Sequence, residues 1–233
     1  MTTITLNKEE DGIKKEKFGY EEEEEFPKDS PTMQKFSFRI LLMLAALNSW
    51  VIETTDIKSA FLQGSKLQRL VHVKPPKEAN QKGKLWKLLK CLYGLKDASR
   101  AWYKKVEDQL ENEGFEMSKY DSGLFFMCKD KELIGMVGLH VDDFISAGTV
   151  EFSTTVMKKI LSVFKVGKSE TDSFLYTGFQ IHQSDNCITL DQKEYVSKIE
   201  IPILPAERML MKEADMTEEE LTTHRRMVGS INW

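Results

Sequence analysis

The sequence predicts an α+β domain, a mainly antiparallel sheet with helices packed on one face. Three observations carry this. Strand-like and helix-like stretches alternate irregularly along the 233 residues, without the strand–helix repeat of a parallel sheet. Neighbouring strand candidates are joined by short turn sequences, which makes them hairpins. No internal repeat breaks the chain into smaller units, and its length is enough to bury a core.

Composition excludes several classes. A content of 41% hydrophobic and 30% charged residues describes a soluble globular protein. No apolar run approaches the roughly 18 residues of a membrane span, residues 40–47 being the longest candidate. No basic stretch leads into an apolar one at the N-terminus, so no secretory signal is read. Cys91, Cys128 and Cys187 are odd in number and widely spaced, as expected of reduced thiols in an intracellular protein. Neither they nor His72, His140, His182 and His224 form a zinc spacing.

Residues 1–28 are polar and include the run Glu21–Glu25, which predicts a solvated, poorly ordered segment. The domain is expected over 29–233. Asp29 or Ser30 is placed to cap a helix with Pro31 in its first turn. Met33, Phe36, Ile40, Leu44 and Leu47 recur at helical spacing and predict its buried face, with an end near Asn48-Ser49. Residues 50–56 are rich in β-branched side chains and read as a strand with Asp56 at its end. Gly64 stops the segment that follows, and residues 70–74 form a short strand closed by Pro75-Pro76. Ala98, Trp102, Val106 and Leu110 repeat every four residues on a helix that Gly114 ends. Residues 124–128 pair with 133–139 through Lys129-Asp130-Lys131. A second hairpin then carries Asp142 and Asp143 at its tip, between the apolar runs 133–139 and 144–148. Val156, Ile160, Leu161 and Phe164 mark another helix, and 174–181 pairs with 187–190 across Ser184-Asp185-Asn186. Asp191 with Glu194, and Thr217 with Glu220, have capping-box spacing for two final helices.

Charge is unevenly spread. The chain is net −4, yet residues 58–105 hold 13 Lys and Arg against Glu78 and Asp97 alone. A basic field of this kind either binds phosphates or simply keeps a surface soluble. Asp56 at a strand end and Asp142-Asp143 at a hairpin tip could share one end of a sheet. Three converging carboxylates repel one another unless a cation neutralises them, and hard Mg²⁺ or Mn²⁺ ions prefer oxygen ligands. Two such ions can stabilise the attacking and leaving oxygens of a phosphoryl displacement. The same acids also serve a solvated turn, because Asp is a common turn residue.

Three ordered motifs narrow the choice. They are Asp56-Ile57-Lys58-Ser59-Ala60-Phe61-Leu62-Gln63-Gly64, then Leu92-Tyr93-Gly94-Leu95-Lys96-Asp97-Ala98-Ser99-Arg100-Ala101-Trp102-Tyr103, then His140-Val141-Asp142-Asp143. In order and spacing the chain resembles the reverse transcriptase of copia-type retrotransposons over roughly residues 19–233, from Lys28-Asp29-Ser30-Pro31 to Arg226-Met227-Val228-Gly229-Ser230. The resemblance implies a palm with partial fingers, residues 1–28 being a remnant of the fingers, cut from a polyprotein before the thumb is complete and before ribonuclease H. It implies an RNA-directed DNA polymerase using two Mg²⁺ (or Mn²⁺) ions, an RNA or DNA template-primer and dNTPs. Other polyprotein segments would be partners and no membrane is involved.

By the same resemblance Asp56, Asp142 and Asp143 form the catalytic and metal-binding set. Ile57, Phe61, Gly94 and Lys96 would meet the incoming nucleotide. Phe61 falls where a bulky side chain excludes a ribose 2′-hydroxyl, and is otherwise a core aromatic. Arg100, His140, Val141, Tyr176 and Gly178 would face nucleic acid. Lys96 and Arg100 either touch phosphates or face solvent, and Trp102 and Tyr103 serve packing. The chain departs from the family pattern at His140, where Tyr is usual, and at Asp97-Ala98-Ser99, where Gln-Ser-Pro is frequent. A catalytically inactive remnant that binds nucleic acid or another protein is the alternative. A metal-dependent nuclease or cyclase would share the acids but leave Phe61 and Gly94 unexplained.

Overall fold

A computed structural model describes residues 2–5, 30–67, 69–81, 83–184, 187–199, 208 and 215–231. In chain order its elements are β1 (Thr2–Thr5), α1 (Lys35–Leu47), β2 (Val51–Ile57), α2 (Ala60–Gln63), β3 (His72–Val73), β4 (Lys84–Lys87), α3 (Ala98–Asn112), β5 (Glu116–Met117), β6 (Leu124–Lys129), β7 (Glu132–His140), β8 (Asp143–Gly148), a π-helical turn (Phe152–Met157) running into α4 (Lys158–Leu161), β9 (Val166–Glu170), β10 (Ser173–Tyr176), β11 (Phe179–Ser184), β12 (Cys187–Asp191), α5 (Lys193–Ser197) and α6 (Glu218–Ile231).

The expected α+β architecture is present, with every named strand pair antiparallel. A six-stranded sheet runs in the order β5-β6-β7-β8-β2-β9, beside the smaller sheets β10-β11-β12 and β1-β4-β3. Alternation along the strands sends side chains to both faces, and both are covered. On one face Phe125, Val137, Leu139 and Phe144 pack against Trp102, Val106 and Leu110 of α3 and against Phe152 and Ile160. On the other, Ile52, Leu124, Met136 and Ile145 pack against Phe38, Leu41 and Ala45 of α1 and against Phe174, Tyr176 and Ile181. The six-stranded sheet is therefore a middle layer, not a sheet with all its helices on one side. Gly135 and Gly148 are opposed across β7 and β8, and a Cβ on either would meet the Phe152 ring within 2.4 Å. Their bare backbone lets that ring lie on the sheet.

The α3 reading holds in detail. Ala98, Trp102, Val106 and Leu110 are all buried, and Gly114 follows the helix at φ +91°. The β6–β7 and β7–β8 hairpins also form as expected, the first turning through Asp130-Lys131, both in the left-handed region.

Other expectations change. Residues 2–5, inside the segment expected to be poorly ordered, pair with β4. Asp29 lies outside the described residues, and Pro31 is not in a helix: Met33 instead donates its N–H to the Leu139 carbonyl at 2.7 Å. The α1 cap is Gln34, whose N–H donates to Asp121 Oδ2 at 2.8 Å. Phe36 and Leu47 are exposed, and the buried face is Ser37, Phe38, Leu41, Leu42 and Ala45. The stretch 174–181 is itself a hairpin, turning at Thr177 and Gly178, whose φ values are +45° and +80°, and its second strand, β11, makes the expected pairing with β12. The Thr217–Glu220 capping box is realised, with Thr217 N–H donating to Glu220 Oε2 at 2.8 Å and Glu220 N–H to Thr217 Oγ1 at 3.2 Å. Asp191 accepts from the Lys193 N–H and pairs with the Lys193 ammonium at 3.6 Å, while Glu194 pairs with Lys198.

Candidate active site

The acids sit at one end of the six-stranded sheet. His140 and Asp143 are opposed across the β7–β8 hairpin, which leaves Val141 and Asp142 as a two-residue turn. Val141 has φ +58°, a conformation that costs a β-branched residue and that Gly would normally supply. Two hydrogen bonds hold it. The Trp102 indole N–H donates to the Val141 carbonyl at 2.7 Å, and the Ile57 N–H donates to the Asp142 carbonyl at 2.9 Å.

Strand β2 lies beside β8 in a register that opposes Asp56 to Asp143. Directly opposed residues share a face. Here it is the face of Met136, Ile145 and the β10–β11 hairpin, so Tyr176 stands over the acids. The His140 ring meets that of Tyr176 edge-on, with centroids 6.4 Å apart. The Asp143 carboxyl is pushed above the usual range, first by burial and then by the charges of Asp142 and Asp56, with His140 opposing. Burial, and next the Asp143 charge, drives the Tyr176 phenol far above its ordinary value. Among the described residues the buried Tyr176 hydroxyl has no hydrogen-bond partner.

Hard oxygen donors in one another's field are what a divalent cation neutralises. Yet among the described residues no group of three or more His, Cys, Asp or Glu side chains converges as a metal cluster. The acids share a sheet end and an electrostatic field without forming a compact cage.

The remaining candidates lie on β2, α2, the loop before α3, α3 itself and the β10–β11 hairpin. Ile57 is buried and contributes its backbone N–H. Phe61, in α2, is partly buried against the α3-side core, and its ring lies 4.5 Å from that of half-exposed Tyr93. Gly94 is exposed at φ +94°, with open space where a Cβ would stand, so conformation rather than crowding calls for glycine. Lys96 is exposed and Arg100 half-buried. Gly178 forms the tip of the β10–β11 hairpin with Thr177.

Sequence reasoning missed four contributors. Tyr93 supports Phe61, and its place in the motif beside Gly94 was the available signal. Trp102 clamps the Val141 turn, a role that its packing period concealed. Asp97 takes a two-pronged hydrogen bond from Arg69, at 3.0 and 2.9 Å, which lowers its pKa. Its departure from the family pattern pointed there. Gly167 lies against Asp56, and nothing in its local sequence announces it.

Residues 16–204 match the family model described as reverse transcriptase (RNA-dependent DNA polymerase). The chain belongs to the reverse transcriptase family. The resemblance read from its three motifs thus holds, and similar proteins are retrotransposon polyproteins. The chain is 27% identical over 221 residues to the retrovirus-related Pol polyprotein from transposon RE1 of Arabidopsis thaliana, covering 88% of this chain and 15% of that protein. It is 31% identical over 172 residues to the polyprotein from transposon RE2 of the same plant, covering 71% of this chain and 12% of that protein. This reverse transcriptase chain therefore spans only a small part of the relatives that it matches. Among solved structures, the foamy viral protease-reverse transcriptase in complex with an RNA/DNA hybrid aligns over 78% of this chain and 21% of its own, at 16% identity and a TM-score of 0.42. Telomerase from Candida albicans aligns over 70% and 36%, at 11% identity and a TM-score of 0.44.

Proposed function

We propose that this chain is the palm and partial fingers of an RNA-directed DNA polymerase of retrotransposon origin, acting inside the cell on a template-primer and dNTPs. The observation that carries the reading is the opposition of Asp56 to Asp143 beside the Val141-Asp142 turn, in a chain of the reverse transcriptase family. The primer 3′-hydroxyl gives up its proton to solvent, its oxygen bonds the α-phosphorus of the dNTP as the bond to the oxygen bridging the β-phosphate breaks, and pyrophosphate leaves. Asp56 and Asp142, helped by Asp143, would hold two Mg²⁺ or Mn²⁺ ions. Such ions, when bound, stabilise both the attacking and the leaving oxygen. Trp102 and Ile57 keep the Asp142 turn in place through its two carbonyls. Phe61, supported by Tyr93, would close the space beside the sugar, and Gly94 would admit close backbone approach. Lys96 and Arg100 would face phosphates, and the hairpin with Tyr176 and Gly178 would lie along the primer end. Membrane attachment plays no part in this reading, and among the described residues no helix is long and apolar enough to cross a bilayer.

Primer extension on a poly(rA)–oligo(dT) substrate with Mg²⁺ or Mn²⁺ tests the reading. Incorporation that Asp142→Ala abolishes supports it. The alternative reading is an inactive remnant that keeps nucleic-acid binding or an interaction role. Template-primer binding without incorporation would decide for the remnant.

A further inference from the structure

Strand β9 borders β2 on the side away from β8. Its register slips beside the candidate site: Thr55 opposes Ser169, whereas Ile57 opposes Val166. Asp56 alone on β2 therefore faces two residues of β9, Gly167 and Lys168. This is a β-bulge, a device that bends a strand locally and re-aims a side chain.

The bulge brings the β9 backbone under the Asp56 carboxylate. A Cβ on Gly167 would stand 1.9 Å from Asp56 Oδ2 and 3.0 Å from its Cγ. Gly167 is not among the glycines with positive φ, so its backbone conformation is open to any residue. What position 167 must supply is empty space, and the Asp56 carboxylate fills it. The nearest atom is the far end of a side chain, which can rotate away, and the Asp56 backbone carbonyl, 3.1 Å from the added Cβ, need give only a few tenths of an ångström. The fold would tolerate the change; the position of the carboxylate would not.

We propose that Gly167 is a positioning residue: it provides a side-chain-free seat for the Asp56 carboxylate and keeps it aimed at the sheet end shared with Asp142 and Asp143. The proposal rests on the polymerase reading of Asp56. It predicts a separation of effects that a merely structural glycine does not produce. Gly167→Ala should fold and melt within a few degrees of the parent. Its primer-extension kcat should fall at least tenfold, with KM for dNTP within about twofold. Mn²⁺ alone, titrated by electron paramagnetic resonance, should bind several-fold more weakly.

Parent-like kcat and Mn²⁺ affinity in Gly167→Ala would overturn the proposal. If Gly167→Ala does not fold, the double variant Asp56→Ala/Gly167→Ala decides. Folding restored by removal of the carboxylate supports the seat, and a double variant that also fails to fold rejects it. A parent chain that neither incorporates dNTP nor binds Mn²⁺ would defeat the polymerase reading instead. The seat is then judged from a crystal structure of Gly167→Ala, where a displaced Asp56 carboxylate supports it and an unmoved one refutes it.

Discussion

The indole N–H of Trp102 donates to the carbonyl oxygen of Val141 at 2.7 Å, linking the core face of α3 to the left-handed residue between the catalytic candidates' strands. Val141 pays for its φ of +58° with local strain, and such strain persists only where neighbours hold it. Trp102→Phe keeps an aromatic ring beside Phe164, whose centroid lies 5.2 Å away, but removes the donor. The expected cost is about 1–2 kcal/mol in denaturant unfolding, from the carbonyl left without its partner. Extension kcat should fall while KM for dNTP changes little. Unchanged kcat would show that the turn holds without the clamp.

Phe61 and Tyr93 form the next pair. Their rings are 4.5 Å apart, so the position of Phe61 depends on a neighbour that is itself half-exposed. Phe61→Ala should relax discrimination against ribonucleotides by roughly 10- to 100-fold, the scale on which one group's fit separates substrates. Tyr93→Ala should relax it less, by loosening the support. Competition between dNTP and rNTP in single-nucleotide extension measures both. Equal discrimination in Phe61→Ala and the parent would return Phe61 to an ordinary packing role.

The Arg69–Asp97 pair gives a pH dependence of stability. The hydrogen bond from Arg69 holds the Asp97 carboxyl below its ordinary value when folded. A depressed carboxyl contributes stability above its unfolded pKa and loses it as the pH falls through the folded one. Asp97→Asn should therefore cost about 1 kcal/mol near neutrality. The gap between parent and variant should close in acid, below about pH 4. Melting curves from pH 7 to pH 3 measure it, and a gap independent of pH would refute the charge-based account.

The sequence reading succeeded where local spacing left one choice. Ala98, Trp102, Val106 and Leu110 can share a face only on a helix, and all four are buried. Asp142 and Asp143 interrupt two apolar runs, so the hairpin was visible before its partners were. Helix α1 forms as expected, but its buried face is only partly legible, because residues 40–47 are apolar all round and periodicity cannot choose a face there; contact with Ile52 and Ile145 selects Phe38, Leu41 and Ala45. The opposition of Asp56 to Asp143 depends on a pairing across 87 residues, which no local pattern encodes. The bulge at Asp56 was hidden more deeply. It requires β9, whose residues Val166-Gly167-Lys168-Ser169-Glu170 are largely polar and sit at the sheet edge, without the alternation that marks a strand.

Asp143 predicts the opposite sign from Asp97. Its carboxyl is raised in the folded chain, by burial first and by Asp142 and Asp56 next. A raised carboxyl binds its proton more tightly folded than unfolded, so stability falls as pH rises from the ordinary carboxylate value through the folded one. In metal-free buffer this penalty grows as the pH rises toward neutrality. Asp143→Asn removes the charge with little change of shape, and should raise the melting temperature there. The gain should fade in acid, where Asp143 is protonated in both states. Under the polymerase reading the same variant should lose extension activity, because the charge that burdens the metal-free fold is the one that would help to hold the ions. Scanning calorimetry with chelator at pH 7 and at about pH 3, below the ordinary carboxylate value, run beside primer extension, tests both halves. A variant that is less stable than the parent at pH 7 would mean that the Asp143 carboxylate has favourable partners outweighing its repulsion by Asp56 and Asp142.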